Sequence, residues 1–192
     1  MALVTPGTNP FPLNRNSSNA SSGRATPTPS PTDAERRTIE LSTSLDHATR
    51  YAFADLLAAI LRMDFIESSD ENKEFSEETL ELIMKHLKLP EKTNRSIRAH
   101  LVGEGTTDDL VALITMVKSD AFLQKNGMTV LLADMVTIFV DTGRYDCRYR
   151  VLMRHVAALL AVHWDAVEEI EDTLTHLLIE QQYDESDPKA DE

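Results

Sequence analysis

Gly143-Arg144-Tyr145-Asp146-Cys147-Arg148-Tyr149-Arg150-Val151-Leu152, running on without a break to Leu160, is the stretch whose reading decides the fold. A turn glycine leads into a dense mix of Tyr, Asp and Arg, which passes directly into apolar residues at helical spacing. With about 100° per residue and Arg148 as origin, Val151, Leu152, His155 and Leu159 fall on one side of this helix. Arg148 and His155 are therefore expected inside the apolar stripe, with His155 as a hydrogen-bonded core residue. A buried guanidinium needs a carboxylate partner. Asp134, near the edge of the preceding apolar segment, is the expected one, with Asp146 as the alternative. Truncating one member of such a buried pair costs about 3–5 kcal/mol.

Outward from that helix, the same periodicity recurs. Ser42 and Ser44 are candidate caps for a long helix from Leu45 to about Phe65, with Ala52, Leu56, Ala59, Ile60 and Met63 on its buried face. Glu67 to Glu74 reads as a polar loop. Ser76 then caps a helix carrying Leu80, Ile83, Met84 and Leu87, with Phe75 and Leu80 as a hydrophobic staple. Pro90 opens a further helix through Ile97 and Leu101, and Thr107-Asp108-Asp109 caps the next. A kink or short helix at Asp120–Lys125 ends at Asn126-Gly127, which is expected to be a helix C-cap and not a hairpin turn.

Met128–Val140 is apolar and rich in β-branched residues, and is expected to be helical because its neighbours are. The final helix starts near Trp164 and should bury Val167, Ile170, Leu174, Leu177 and Leu178. The sum is an all-α domain of about seven helices over residues 41–183. A Pro/Ser/Thr-rich segment at 1–40 has too few apolar groups to offset its ordering entropy, and is expected to be disordered. An acidic tail is expected at 184–192.

Composition narrows the function. The 192 residues carry a formal net charge of -13, which argues against nucleic acid or anionic lipid as a partner of the folded surface. The lone cysteine, Cys147, has no internal disulfide partner and fits a reducing compartment. Its arginine neighbours suit a lowered thiol pKa, but a plain helical cysteine is the simpler account. No secretory signal is visible at the start, and the most apolar runs, Tyr51–Met63 and Val151–Trp164, are too short and too charged to cross a bilayer. Serine elbows, His-Glu-x-x-His and paired-cysteine patterns are missing, so no catalytic, metal-binding or cofactor-binding residue is assigned.

Two segments resemble a known family. Arg50-Tyr51-Ala52-Phe53-Ala54-Asp55-Leu56-Leu57 and Gly143–Leu152 are similar to the amino-terminal region of the transmembrane and coiled-coil domain-containing protein 4 family. The shared pattern is Arg-aromatic-Ala-aromatic-Ala (Arg50, Tyr51, Phe53), then an acid at Asp134. It ends with Gly-x-Tyr-Asp-x-Arg-x-Arg-Val-Leu, here carrying Tyr145, Asp146, Arg148 and Arg150. The resemblance covers about Leu45 to Asp187. It implies a helical region that in longer members precedes a basic stretch, Gly/Ala-rich membrane spans and an α/β-hydrolase-like domain with a serine elbow.

None of those later parts appears before Glu192, so a fragment or a short product is expected. Such a piece would be cytoplasmic when isolated and membrane-associated within a longer protein. It would be non-catalytic by itself, and would act on the missing hydrolase domain or on a protein partner.

The amino-terminal segment offers a different function. Asn9-Pro10-Phe11 has the form bound by EH-class adaptor domains of membrane traffic, and Thr26, Thr28 and Ser30 each precede a proline as in proline-directed phosphorylation sites. A chance tripeptide and a plain proline-rich spacer are the bland alternatives. If the adaptor reading holds, a peptide spanning residues 1–40 should retain an EH domain on beads and Phe11→Ala should release it; equal capture of both peptides rules it out.

Overall fold

A computed structural model describes residues 40–66, 69–104 and 109–186. Asn9, Pro10, Phe11, Thr26, Thr28 and Ser30 lie outside them, as do nearly all of the expected amino-terminal segment and most of the acidic tail. All regular structure among the described residues is helical. The elements are α1 (Leu41–Ser44), α2 (His47–Asp64), α3 (Asp70–His86), α4 (Glu91–Leu101), α5 (Leu110–Ser119), α6 (Ala121–Asn126), α7 (Thr129–Asp141), α8 (Cys147–Leu160) and α9 (Trp164–Ser186). The two beyond the expected seven are the short α1 and α6.

The core is built around α2, whose residues Ala52 to Ala58 are buried without interruption. A helix apolar on every side can satisfy itself only by being surrounded. Here α3, α4, α5 and α8 all pack against it. Alanines at 52, 54 and 58 are fully buried and give neighbouring helices room for close approach. Met63, expected on the buried face, is 66% exposed, whereas Leu61 and Phe65 on either side of it are buried, so the buried face at this end of the helix lies to the other side.

Several helix starts differ from expectation, and each difference has a local cause. Ser42 and Ser44 do not cap α2. They belong to α1, and α2 begins after Asp46. Helix α3 starts at Asp70, where Ser69 Oγ accepts from the Asn72 N–H at 3.2 Å. The polar run at 70–74 is the solvated first turn of that helix, with Asp70 and Glu71 favoured beside its positive end. Ser76 lies inside α3 and its hydroxyl donates to the Asn72 carbonyl at 2.8 Å, so no staple forms there.

Other expectations hold. Asp109 caps α5 by accepting from Val111 N–H, and Gly127, at φ +88°, ends α6 with its N–H bonded to the Leu123 carbonyl. The β-branched segment 129–141 is helix α7.

Helix α8 is rotated by one residue from the expected phase. Its buried face is Tyr149, Leu152, Met153, Val156, Ala157 and Leu160. Tyr149, not Arg148, is its centre, so Val151 and His155 turn outward. Tyr149 is the hub of an aromatic cluster. Its ring meets Phe75 edge-on at 5.0 Å and stacks on Phe139 at 4.3 Å. Tyr145 lies parallel to it at 6.0 Å, and Phe65 meets Phe75 edge-on at 5.2 Å. These rings join α3, α7 and α8 with the C-cap of α2.

Helix α9 packs on α7 and α8 through the buried Val167 and the half-buried Ile170 and Leu174. Leu177 and Leu178, expected in the core, are exposed because the helix has run past its neighbours.

Two substitutions separate the expected centre of α8 from the observed one. Tyr149→Ala should lose about 3–5 kcal/mol, as for other large-to-small aromatic replacements in a core. Arg148→Ala, at a partly exposed ion pair, should lose about 1 kcal/mol or less. Urea unfolding of both variants checks this, and a larger loss for Arg148→Ala would overturn the assignment.

Candidate functional site

The polar residues that the fold brings together are joints between helices. The most enclosed is Asp55 on α2, whose Oδ1 lies 2.6 Å from Nδ1 of His100 on α4, with side chains 3% and 9% exposed. Tyr51, one turn before, adds its hydroxyl to Asp55 Oδ2 at 3.4 Å. Removing either partner would leave the other buried without its hydrogen bond, at a cost of about 1–3 kcal/mol or more. The sequence reading assigned neither residue a role, although Asp55 falls within the motif that carries the family resemblance. The signal was present: a carboxylate in the middle of an Ala/Leu helix demands a partner, and His100 shares the face of Ile97 and Leu101 on α4.

Two further His–carboxylate pairs follow the same pattern. His86 Nε2 on α3 lies 2.6 Å from Asp134 Oδ2 on α7, and His155 on α8 bonds Asp64 at the end of α2. Asp134 is thus committed to His86 and not to Arg148, from which it sits on a different joint. His155 is hydrogen-bonded, but half-exposed instead of buried.

Arg148 takes the alternative partner. Its Nη2 and Nε donate to Asp146 Oδ2 at 2.6 and 3.1 Å, and Asp146 Oδ1 caps α8 by accepting from the Arg148 N–H at 2.8 Å. With side chains 34% and 39% exposed, this pair is at the surface. Its guanidinium lies 4.5 Å above the Phe75 ring and reaches the Glu71 carbonyl on α3 at 3.4 Å. The hydrogen bond to Arg148 holds the Asp146 carboxyl below its usual range. Beside the pair is a cleft of about 310 Å³ whose rim carries Glu71, Glu74, Glu78 and Arg144.

The remaining motif residues are also joints. Arg50 Nη1 donates to the Leu87 carbonyl at 3.0 Å, satisfying an open group at the end of α3. Phe53 is buried in the core. Tyr145 donates to Glu171 on α9 at 2.5 Å. Burial, followed by this bond to a carboxylate, pushes the phenol pKa well above its usual value. Arg150 reaches the same carboxylate at 2.8 Å, and both Arg150 and Arg154 lie over the Trp164 ring.

Chemically, this arrangement locks helices. The Asp55–His100 pair has acid–base components, but both residues are enclosed. Cys147 is exposed in the first turn of α8. Among the described residues, no group of three His, Cys, Asp or Glu side chains is placed to hold a metal ion.

His86 gives the joints a measurable pH dependence. The bond to Asp134 raises its pKa. Burial opposes this, the Asp134 and Glu40 charges reinforce it and Lys88 counters it. A raised folded-state pKa means that the stabilisation is complete below about 6.5, the unfolded value, and declines as pH rises through the folded value. The melting-temperature gap between wild type and Asp134→Asn should therefore be widest near pH ~6 and narrow toward pH ~9. A constant gap would show that the pair does not titrate.

No family model matches the chain, and no solved structure matches it. It is 36% identical over 178 residues to a protein of Caenorhabditis elegans described as an uncharacterized membrane protein. The match takes in 92% of this chain and 28% of that relative, so the chain spans just over a quarter of the length of the curated protein that it resembles. No described helix is long and apolar enough to cross a membrane. The similarity therefore joins a helical domain of this size to one part of a larger membrane protein.

Proposed function

We propose that this chain is a helical interaction or regulatory module, non-catalytic by itself. It corresponds to an aqueous-side region of a membrane-anchored, lipase-like protein resembling the transmembrane and coiled-coil domain-containing protein 4 family. The observation that carries the reading is the match of nearly the whole chain to about a quarter of a larger membrane protein. The two motifs behind the family resemblance support it through their positions. Arg50, Tyr51 and Phe53 lie on the central helix, and Tyr145, Asp146, Arg148 and Arg150 connect α8 to α3 and α9. Residues engaged in holding helices together favour a scaffold over a reaction centre. Its partner would be the hydrolase domain of a longer protein, or a separate protein.

The adaptor reading is the second, and rests on Asn9-Pro10-Phe11 and the Thr/Ser-Pro sites at Thr26, Thr28 and Ser30. The leading reading predicts that the purified chain shows no turnover of short acyl esters sensitive to a serine-directed inhibitor. It also predicts that the chain stays with the soluble fraction when neutral phosphatidylcholine vesicles are floated. Inhibitor-sensitive turnover, or flotation with the vesicles, overturns it.

A further inference from the structure

We infer that the far half of α9 is a docking surface for a basic amphipathic helix of a protein partner. This deepens the interaction-module reading and rests on it. The near half of α9 is anchored: Val167, Ile170 and Leu174 face α7 and α8, while Glu171 bonds Tyr145 and Arg150. At about 100° per residue, Leu177 and Leu178 continue the stripe of Ile170 and Leu174. There they meet no neighbouring helix, and are 47% and 49% exposed. Ile179, 48% exposed, points away from this stripe, opposite Ile170. Leu177 and Leu178, each about half in water, therefore prolong the apolar stripe of α9 beyond its covered part.

The charge around that surface selects its occupant. Helix α9 contains eight Asp and Glu residues and no Lys or Arg. Glu168 and Glu171 are met by Arg150 from α8. Among the described residues, the carboxylates of Glu169, Asp172 and Glu180 have no ion-pair partner. Glu168 and Asp172, one turn apart, repel along the helix. A second copy docked through the same helix face would bring like charges against these. A helix with leucine-like residues on one face and lysine or arginine on its edges covers the aliphatic stripe and neutralises the acids together.

The test uses the full chain and a synthetic lysine/leucine peptide with its leucines on one helical face, followed by titration calorimetry. Saturable binding that weakens with added salt is expected. Replacing Leu177 and Leu178 with serine should weaken it by about tenfold or more. These positions lie outside the core, so the far-ultraviolet circular dichroism of the variant should match wild type.

Equal binding by the variant overturns the inference. So does equal binding of a scrambled peptide without an apolar face, which would reduce the effect to charge attraction. Dimerisation in light scattering, abolished by the same serines, would assign the face to a second copy and also overturn it. If the peptide is ignored while the chain remains silent toward esters and vesicles, the docking surface falls and the module reading stands.

Discussion

The structure depends on burying the middle of α2, Ala52 to Ala58, on every side. A helix in that position removes all its backbone from water at the cost of needing covering helices around its whole circumference, and it leaves no outlet for a polar side chain. Asp55 sits in the middle of it. The carboxylate is compatible with that site because α4 supplies His100 at hydrogen-bond distance and Tyr51 supplies a second donor. The pair thereby specifies one rotation and one axial position of α4 against α2. An all-apolar contact would tolerate neighbouring registers at similar energy. The same principle operates more weakly at His86–Asp134 and His155–Asp64, so that α3, α4, α7 and α8 are each held in register by a histidine or its carboxylate.

Much of this was legible in the sequence. The all-α class followed from apolar spacing, and Asp109, Asp120, Gly127 and Asp146 marked helix ends because their side chains or backbone angles satisfy terminal groups that nothing else reaches. The phase of α8 was legible, but the expectation centred it on the wrong residue. The stripe from Tyr149 through Leu152, Met153, Val156 and Leu160 is apolar throughout, whereas the one from Arg148 includes His155, so the better phase was present in the sequence, and partners on other helices fix it. Phe75 and Phe139 receive the Tyr149 ring, and Phe75 also receives the Arg148 guanidinium from its outer side. One residue of rotation then converts Arg148 and His155 from core positions to rim positions.

The joints were harder still. Pairing Asp134 with Arg148 assumed proximity between sequence-adjacent helices. The observed partner, His86, is 48 residues away and belongs to a helix whose start was itself misplaced. Likewise, the length of covering helix beside α9 decides where its stripe stops being core. Leu174 and Leu177 are indistinguishable by periodicity, and only their neighbours differ.

Asp120 carries a consequence of another kind. It is buried, and burial alone would raise its carboxyl pKa. Bonds from the Thr49 hydroxyl and from the backbone N–H groups of Leu123, Asp46 and Phe122 outweigh that and hold it below the usual value. One oxygen caps α6, and the other receives the Asp46 N–H, 74 residues earlier, at the start of α2. One carboxylate therefore closes the first turns of two helices. Fraying at the start of α2 gives up a bond to the residue that caps α6, so two helix ends distant in the chain are coupled through one side chain.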